Sequence, residues 1–258
     1  MTVMITGATS GIGKAMALAY LRAGHTVLAC GRSEQKLSEL ANALQNEPQL
    51  ENESDREAQG ESGELVPLCF DLTQPESYPV LPRGVAKLDL LILNAGDCEY
   101  IDDALHFDAK RFERVIKINL IAIGYGLSAW LSRIRSGGRV VFISSSAQLL
   151  PLPRAEAYGA SKAALTYLAN SLAIDLAKED IQVTCVHPGF VATPLTDRNT
   201  FAMPMLVSAE QAAAEIIRGI ARGKREIHFP RGFIWIMRML SWLPFTWWQK
   251  LALKMVNA

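Results

Sequence analysis

The chain has 258 residues, half of them apolar, enough to bury a full core as a single α/β domain. Formal charge balances at 26 basic against 26 acidic residues, so nothing in the composition points to nucleic acid or another polyanion as a partner. Cys30, Cys69, Cys98 and Cys185 stand far apart without a CxxC, and His25, His106, His187 and His228 show no metal-ligand spacing; the expectation is unpaired thiols in a reducing compartment and no metal site.

The first element is "TVMITG", which reads as a strand rather than a basic leader or an apolar signal core and predicts a cytoplasmic protein. It runs into "TGATSGIGK" and a helix over 13–23, placing Gly7, Gly11 and Gly13 at a strand-to-helix turn. Glycine there permits the tight turn, lets backbone approach a pyrophosphate and lets the helix pack closely on the sheet, while the helix start offers free N–H groups and a positive dipole end. The second strand, "HTVLACG", is followed by Arg32 and Ser33 where a carboxylate would bond a ribose 2′-hydroxyl and repel a 2′-phosphate. Arg32 can fork onto such a phosphate, which favours NADP over NAD, although an ordinary solvated arginine opening the helix 33–45 would look the same.

Residues 45–64 are acidic and polar, predicting a mobile surface loop before the third strand, "ELVPLCFD". Three prolines in 74–83 predict a short or absent crossover helix. Then come "LDLLILNAG", a helix over 108–135, "GRVVFISSS", a helix over 157–179 and "IQVTCVHPG". The strands are almost continuously apolar, as a parallel sheet covered on both faces requires, so the expected fold is a doubly wound sheet with its ligand at the carboxyl ends of the strands. On helix 157–179, Tyr158 and Lys162 are four residues apart and share a face. A solvated face with Lys162 lying along its neighbours would explain the pair alone; the surrounding motifs argue for chemistry.

The last stretch, residues 195–258, contains "FIWIMRMLSWLPFTWWQKLALKMV", with four of the five tryptophans. Arg238 and Pro244 interrupt it before an uncharged span of about 20 residues accumulates, which predicts two amphipathic helices rather than a transmembrane one. Those helices would close the substrate pocket or bury themselves in a subunit contact. The other reading is a peripheral membrane contact through 232–256, on the inner face of a membrane, matched to a lipid-like substrate.

Taken in order, "TGATSGIG", "NAG" at 94–96, Asn119, "ISSS" at 143–146, "YGASK" at 158–162 and "HPGFVATP" at 187–194 resemble the short-chain dehydrogenase/reductases over roughly Thr2–Leu195. The resemblance implies a Rossmann core over 1–194 with 195–258 as substrate-side lid, and a homodimer or homotetramer. It also implies roles. The family's catalytic serine lies thirteen residues before its tyrosine, which selects Ser145 over Ser144 and Ser146. Tyr158 is then the proton donor, Lys162 its partner, and Asn119 the helix asparagine that completes a tetrad and holds a proton-relay water. The implied cofactor contacts are Gly7, Thr9, Ser10, Gly11, Ile12, Gly13, Arg32, Ser33, Asp71 and Leu72 on one side, and Asn94, Ala95, Gly96, Tyr158, Lys162, Pro188, Gly189, Val191 and Thr193 on the other. Asp97, Cys98 and Glu99 depart from the small or apolar residues usual after "NAG" and give the substrate-side loop an unfamiliar polarity.

A free tyrosine titrates near ~10, too weakly acidic to exchange protons readily at neutral pH. Lys162, together with an oxidised nicotinamide ring, would favour the phenolate and turn Tyr158 into a tuned acid/base. The sequence therefore reads as an NADP(H)-dependent carbonyl reductase or alcohol dehydrogenase acting on a small molecule. The alternative is a non-catalytic NAD(P)-binding redox sensor or scaffold, which would have no use for a tuned phenol.

Overall fold

Successive strand residues divide between two buried layers. Val3, Ile5, Val27, Ala29, Leu90, Ile92, Val141 and Ile143 pack on one face of the sheet, and Met4, Leu28, Leu91, Leu93, Val140 and Phe142 on the other. Side chains alternate along a strand, so an unbroken apolar run has to be covered twice. The computed structural model describes residues 1–45 and 63–256; the acidic segment expected at 45–64 falls almost wholly outside the described residues.

The elements are β1 (Thr2–Thr6), α1 (Gly11–Arg22), β2 (Thr26–Gly31), α2 (Glu34–Gln45), β3 (Leu65–Cys69), β4 (Leu88–Leu93), α3 (Ala109–Arg133), β5 (Ile134–Ile143), α4 (Glu156–Asp175), β6 (Gln182–Pro188), α5 (Ala209–Ala221), β7 (Glu226–Phe229), α6 (Arg231–Ser241) and α7 (Phe245–Val256). Among the described residues seven strands form one parallel sheet in the order β3-β2-β1-β4-β5-β6-β7. This is the expected doubly wound α/β sheet. Between β3 and β4 the proline-rich stretch holds only a single 3-10 turn, Pro75–Ser77, as its prolines dictate.

Two elements were not singled out from the sequence. β7 extends the sheet beyond β6, and α5 packs on the same face as α1 through Ala212, Ala213 and Ile216. Helix α3 is interrupted by a π turn over Lys117–Ile121 that contains the buried Asn119. Among the described residues α3 alone has the length and mean hydropathy, 1.4, to cross a bilayer; its Ile123, Leu127 and Trp130 are packed on the sheet.

Candidate active site

The strand order reverses between β1 and β4, so the loops after these two strands separate and leave a crevice at their carboxyl ends. Asn94 stitches the two strands together there. Its backbone N–H donates to Thr6 Oγ1 (2.9 Å), and its Nδ2 donates to the carbonyls of Thr6 (3.0 Å) and Gly7 (3.3 Å). The crevice is a cleft of about 430 Å³.

Gly7 and Gly11 turn the chain into the cleft with φ of +67° and +50°. A Cβ on Gly11 would lie 2.9 Å from Thr193 Cγ2, and one on Gly13 would lie 2.2 Å from the Gly7 carbonyl oxygen. Only glycine allows these approaches. Ser10 makes no side-chain cap on α1, so the N–H groups of the first helical turn are available to a ligand at Ser10, Gly11 and Ile12, which line the cleft. A shallow glycine cradle ending on a helix start fits a pyrophosphate.

Thr9, Arg32, Asp71, Leu72, Ala95, Gly96, Ser145, Tyr158, Lys162, Pro188, Gly189, Val191 and Thr193 also line the cleft, together with Gly7 and Asn94. Gly13 and Ser33 do not: Gly13 is packed beneath the turn, and Ser33 Oγ accepts from the Lys36 N–H at 3.3 Å at the start of α2. Lys36 itself lines the cleft beside Arg32, a second cation that sequence reasoning overlooked. Its signal was its place in the first turn of the helix that Arg32 precedes. For Asp71, burial by itself would raise the carboxyl, but bonds from Thr73 N–H and Oγ1 (both 2.8 Å) and the charges of Arg32 and Lys117 hold it below the usual range.

Ser145, Tyr158 and Lys162 meet where β5 ends. Ser145 is extended, its Oγ accepting from the Ala147 N–H at 3.1 Å. Lys162 is only 4% exposed; its Nζ donates to the Ile143 carbonyl at 2.8 Å and lies 5.7 Å from the centre of the Tyr158 ring. Burial pulls the Lys162 ammonium down to about 8. Burial also pushes the Tyr158 phenol above its ordinary value, the neighbouring Cys98 adds to the rise, and a hydrogen bond with Ser145 opposes it. Among the protein's own groups, therefore, desolvation outweighs the lowering expected of Lys162, and the phenol is held in its proton-bearing form. Asn119 stands one step behind. Its Oδ1 accepts from the Asp97 N–H, and its Nδ2 donates to the Asp97 carbonyl (2.8 Å) and to Ser161 Oγ (2.9 Å), tying the loop after β4 to α4.

The polar residues after "NAG" are neutralised across the mouth of the site. Asp97 faces Arg198 at 3.6 Å, while Glu99 pairs with Arg114 at 2.8 Å and Arg111 at 3.4 Å. Next to this loop runs an aromatic row: Tyr100 packs on Phe201 (5.6 Å), Phe201 on Phe190 (6.1 Å) and Phe190 on Phe233 (5.4 Å), and Phe233 stands against Gly189, which lines the cleft.

Behind Pro188 the pairing of β6 with β7 sets His187 opposite His228. The ligand atoms of His187, Glu226 and His228 come within 4.8 Å of one another, a cluster that the sequence spacing gave no reason to expect. The two rings stack at 4.5 Å and 15°, and Arg238 Nη2 reaches His228 Nε2 (2.8 Å) and Glu226 Oε2 (3.8 Å). A guanidinium thus already balances the carboxylate, and near-parallel rings cannot both aim an in-plane lone pair at one ion.

The chain matches the family profile "short chain dehydrogenase" over residues 1–203. It is 34% identical over 249 residues to an uncharacterized oxidoreductase of Myxococcus xanthus, covering 94% of this chain and 92% of that one. An 11-beta-hydroxysteroid dehydrogenase-like 3 of Arabidopsis thaliana is 30% identical over 252 residues, covering 94% and 77%. Among solved structures, a short-chain dehydrogenase of Sphingobium yanoikuyae in complex with NADPH superposes with a TM-score of 0.73 at 27% identity, over 89% of this chain and 88% of that one. The protein belongs to the short-chain dehydrogenase family of NAD(P)-dependent oxidoreductases.

Proposed function

We propose that this chain is an NADP(H)-dependent reductase or dehydrogenase that interconverts a carbonyl and an alcohol on an apolar small molecule, with Tyr158 as general acid/base. The observation that carries the reading is the meeting of Ser145, Tyr158 and Lys162 in one cleft with the glycine turn.

When bound, the nicotinamide supplies or accepts the hydride. The chain's own residues do the rest. Ser145 and Tyr158 hold the substrate oxygen, and Tyr158, kept protonated by burial, gives its proton to the oxygen as negative charge develops there. Lys162 holds the floor of the site through Ile143 and places a cation near the phenol ring. Asn119 fixes the Asp97 backbone and with it the loop that borders the substrate.

The glycine turn cradles the pyrophosphate of either dinucleotide, so the choice falls to the residues at the end of β2 and the start of α2. Arg32 and Lys36 at that end of the cleft, with no carboxylate on β2's last residues, support the 2′-phosphate of NADP. The aromatic row of Tyr100, Phe190, Phe201 and Phe233, adjoining the cleft at Gly189 and Val191, supports an apolar carbonyl substrate, as does the hydroxysteroid named for one relative. Four unpaired cysteines, two of them buried, support a reducing, cytoplasmic setting.

Titration with NADPH and NADH, then a panel of aldehydes, ketosteroids and long-chain ketones under NADPH oxidation, tests the reading. Tighter NADPH binding with turnover of the apolar ketones is expected. Dinucleotide binding with no turnover across the panel would shift the weight to a sensor or scaffold.

A further inference from the structure

The helices α6 and α7 bury one side and leave the other apolar. On the inner side Met237, Leu240, Trp248 and Ala252 pack on Leu149, Leu150 and Leu152, and Trp248 Nε1 donates to the Pro151 carbonyl at 2.8 Å. On the outer side Trp235, Met239 and Trp242 succeed one another at i, i+4 and i+7, with Trp235 64% and Trp242 84% exposed. Phe245, Trp247 (65%) and Leu251 continue the surface onto α7. A helix that only closed a pocket would carry polar residues there.

Charge distinguishes among possible occupants. From Ile227 to Ala258 the sequence has Arg231, Arg238, Lys250 and Lys254 and no aspartate or glutamate. Arg238 is engaged with His228, whereas among the described residues no carboxylate lies within ion-pair distance of Arg231, Lys250 or Lys254. Cations interleaved with exposed tryptophans, on helices of 11 and 12 residues that are too short to span, match the headgroup layer of an anionic bilayer. The helices also reach the cleft. Phe233 of α6 packs on Phe190 and stands so close to cleft-lining Gly189 that a Cβ there would lie 2.8 Å from its ring, and exposed Phe201, Met205 and Leu206 lie on the loop between Thr193 and α5.

We propose that α6 and α7 dock flat on an anionic bilayer, with Trp235, Trp242 and Trp247 at headgroup depth, and that an apolar carbonyl enters the site from the lipid. The entry step rests on the proposed reductase activity; the docking does not.

Flotation of the full-length protein with phosphatidylcholine vesicles, with and without phosphatidylglycerol, tests the docking. Binding should be about tenfold or more stronger to the anionic vesicles and should fall in high salt. The Trp235→Ala/Trp242→Ala/Trp247→Ala variant and the Lys250→Gln/Lys254→Gln variant should both lose flotation while retaining NADPH binding, which reports that they are folded. The triple variant should also raise KM for a long-chain ketone delivered in anionic vesicles and leave KM for a short water-soluble ketone unchanged. Wild-type protein that fails to float, or a triple variant that floats as well as wild type, overturns the proposal. Wild type that does not float while the triple variant falls to a smaller sedimenting species assigns the surface to a second copy of the chain. Flotation without turnover of either ketone leaves the docking standing and removes the reductase reading.

Discussion

Arg32 is an exposed side chain where the cleft meets the end of β2, with Lys36 beside it, so its value lies in what it can bond rather than in packing. Arg32→Ala is expected to weaken NADPH binding about tenfold or more while changing NADH little, because only the former presents a 2′-phosphate for the guanidinium fork. Equal losses in the two titrations would remove the 2′-phosphate assignment. That Ser145, Tyr158 and Lys162 would come together was expected from the family resemblance, whose motifs are short and local, and all three line the same cleft. Lys36 and the Asp97–Arg198 pair were not legible in the sequence, since each acquires its place from loops that meet only after the sheet forms. The balance of forces on Tyr158 was also beyond the sequence. Proximity to Lys162 could be read from helical spacing, but the degree of desolvation that dominates the phenol depends on what covers it.

Among elements, β7 and α5 show how the sequence signal can be present and overlooked. Ser208 and Gln211 form a capping box at the start of α5, with both reciprocal bonds made (3.1 and 3.0 Å), and that pattern alone would have announced the helix. β7 is harder, a four-residue strand opening on a charge, recognised as a strand by its register with β6. That register carries a pH consequence. His187 is buried against His228, Glu226 and Arg238, and burial together with His228 lowers it from 6.5 to about 4. Between those values the unfolded chain binds the additional proton, so stability should rise with pH from about 4 to 6.5 and fall on acidification through the same window. Lowered His228 and lowered Glu226 act in the same direction. His187→Gln should therefore lose less stability than wild type between pH 6.5 and 4, by at most about 3 kcal/mol, measured by urea unfolding at each pH. Parallel pH profiles would mean that His187 is not the titrating group.

For the molecule as a whole, both faces of the sheet are covered, yet helices α3 and α4 still present apolar residues to solvent. Ile121 and Tyr125 on α3, and Tyr167 (79%) and Ile174 (77%) on α4, are exposed. A second subunit packed on these two helices would cover them, and we expect the chain to sediment as a dimer or larger assembly. Tyr125→Glu with Tyr167→Glu should reduce the sedimenting species toward a monomer that retains its fold; an unchanged mass would place the contact elsewhere. The doubly wound sheet itself was readable because strands with no polar face leave few alternatives to burial on both sides. Its catalytic meaning depends on one proton. The most direct test compares wild type with Tyr158→Phe for NADPH affinity and for turnover of an apolar ketone. If Tyr158 donates that proton, affinity stays within about twofold of wild type and turnover falls at least about a hundredfold, since only the proton donor is gone. Turnover retained by Tyr158→Phe would contradict that role.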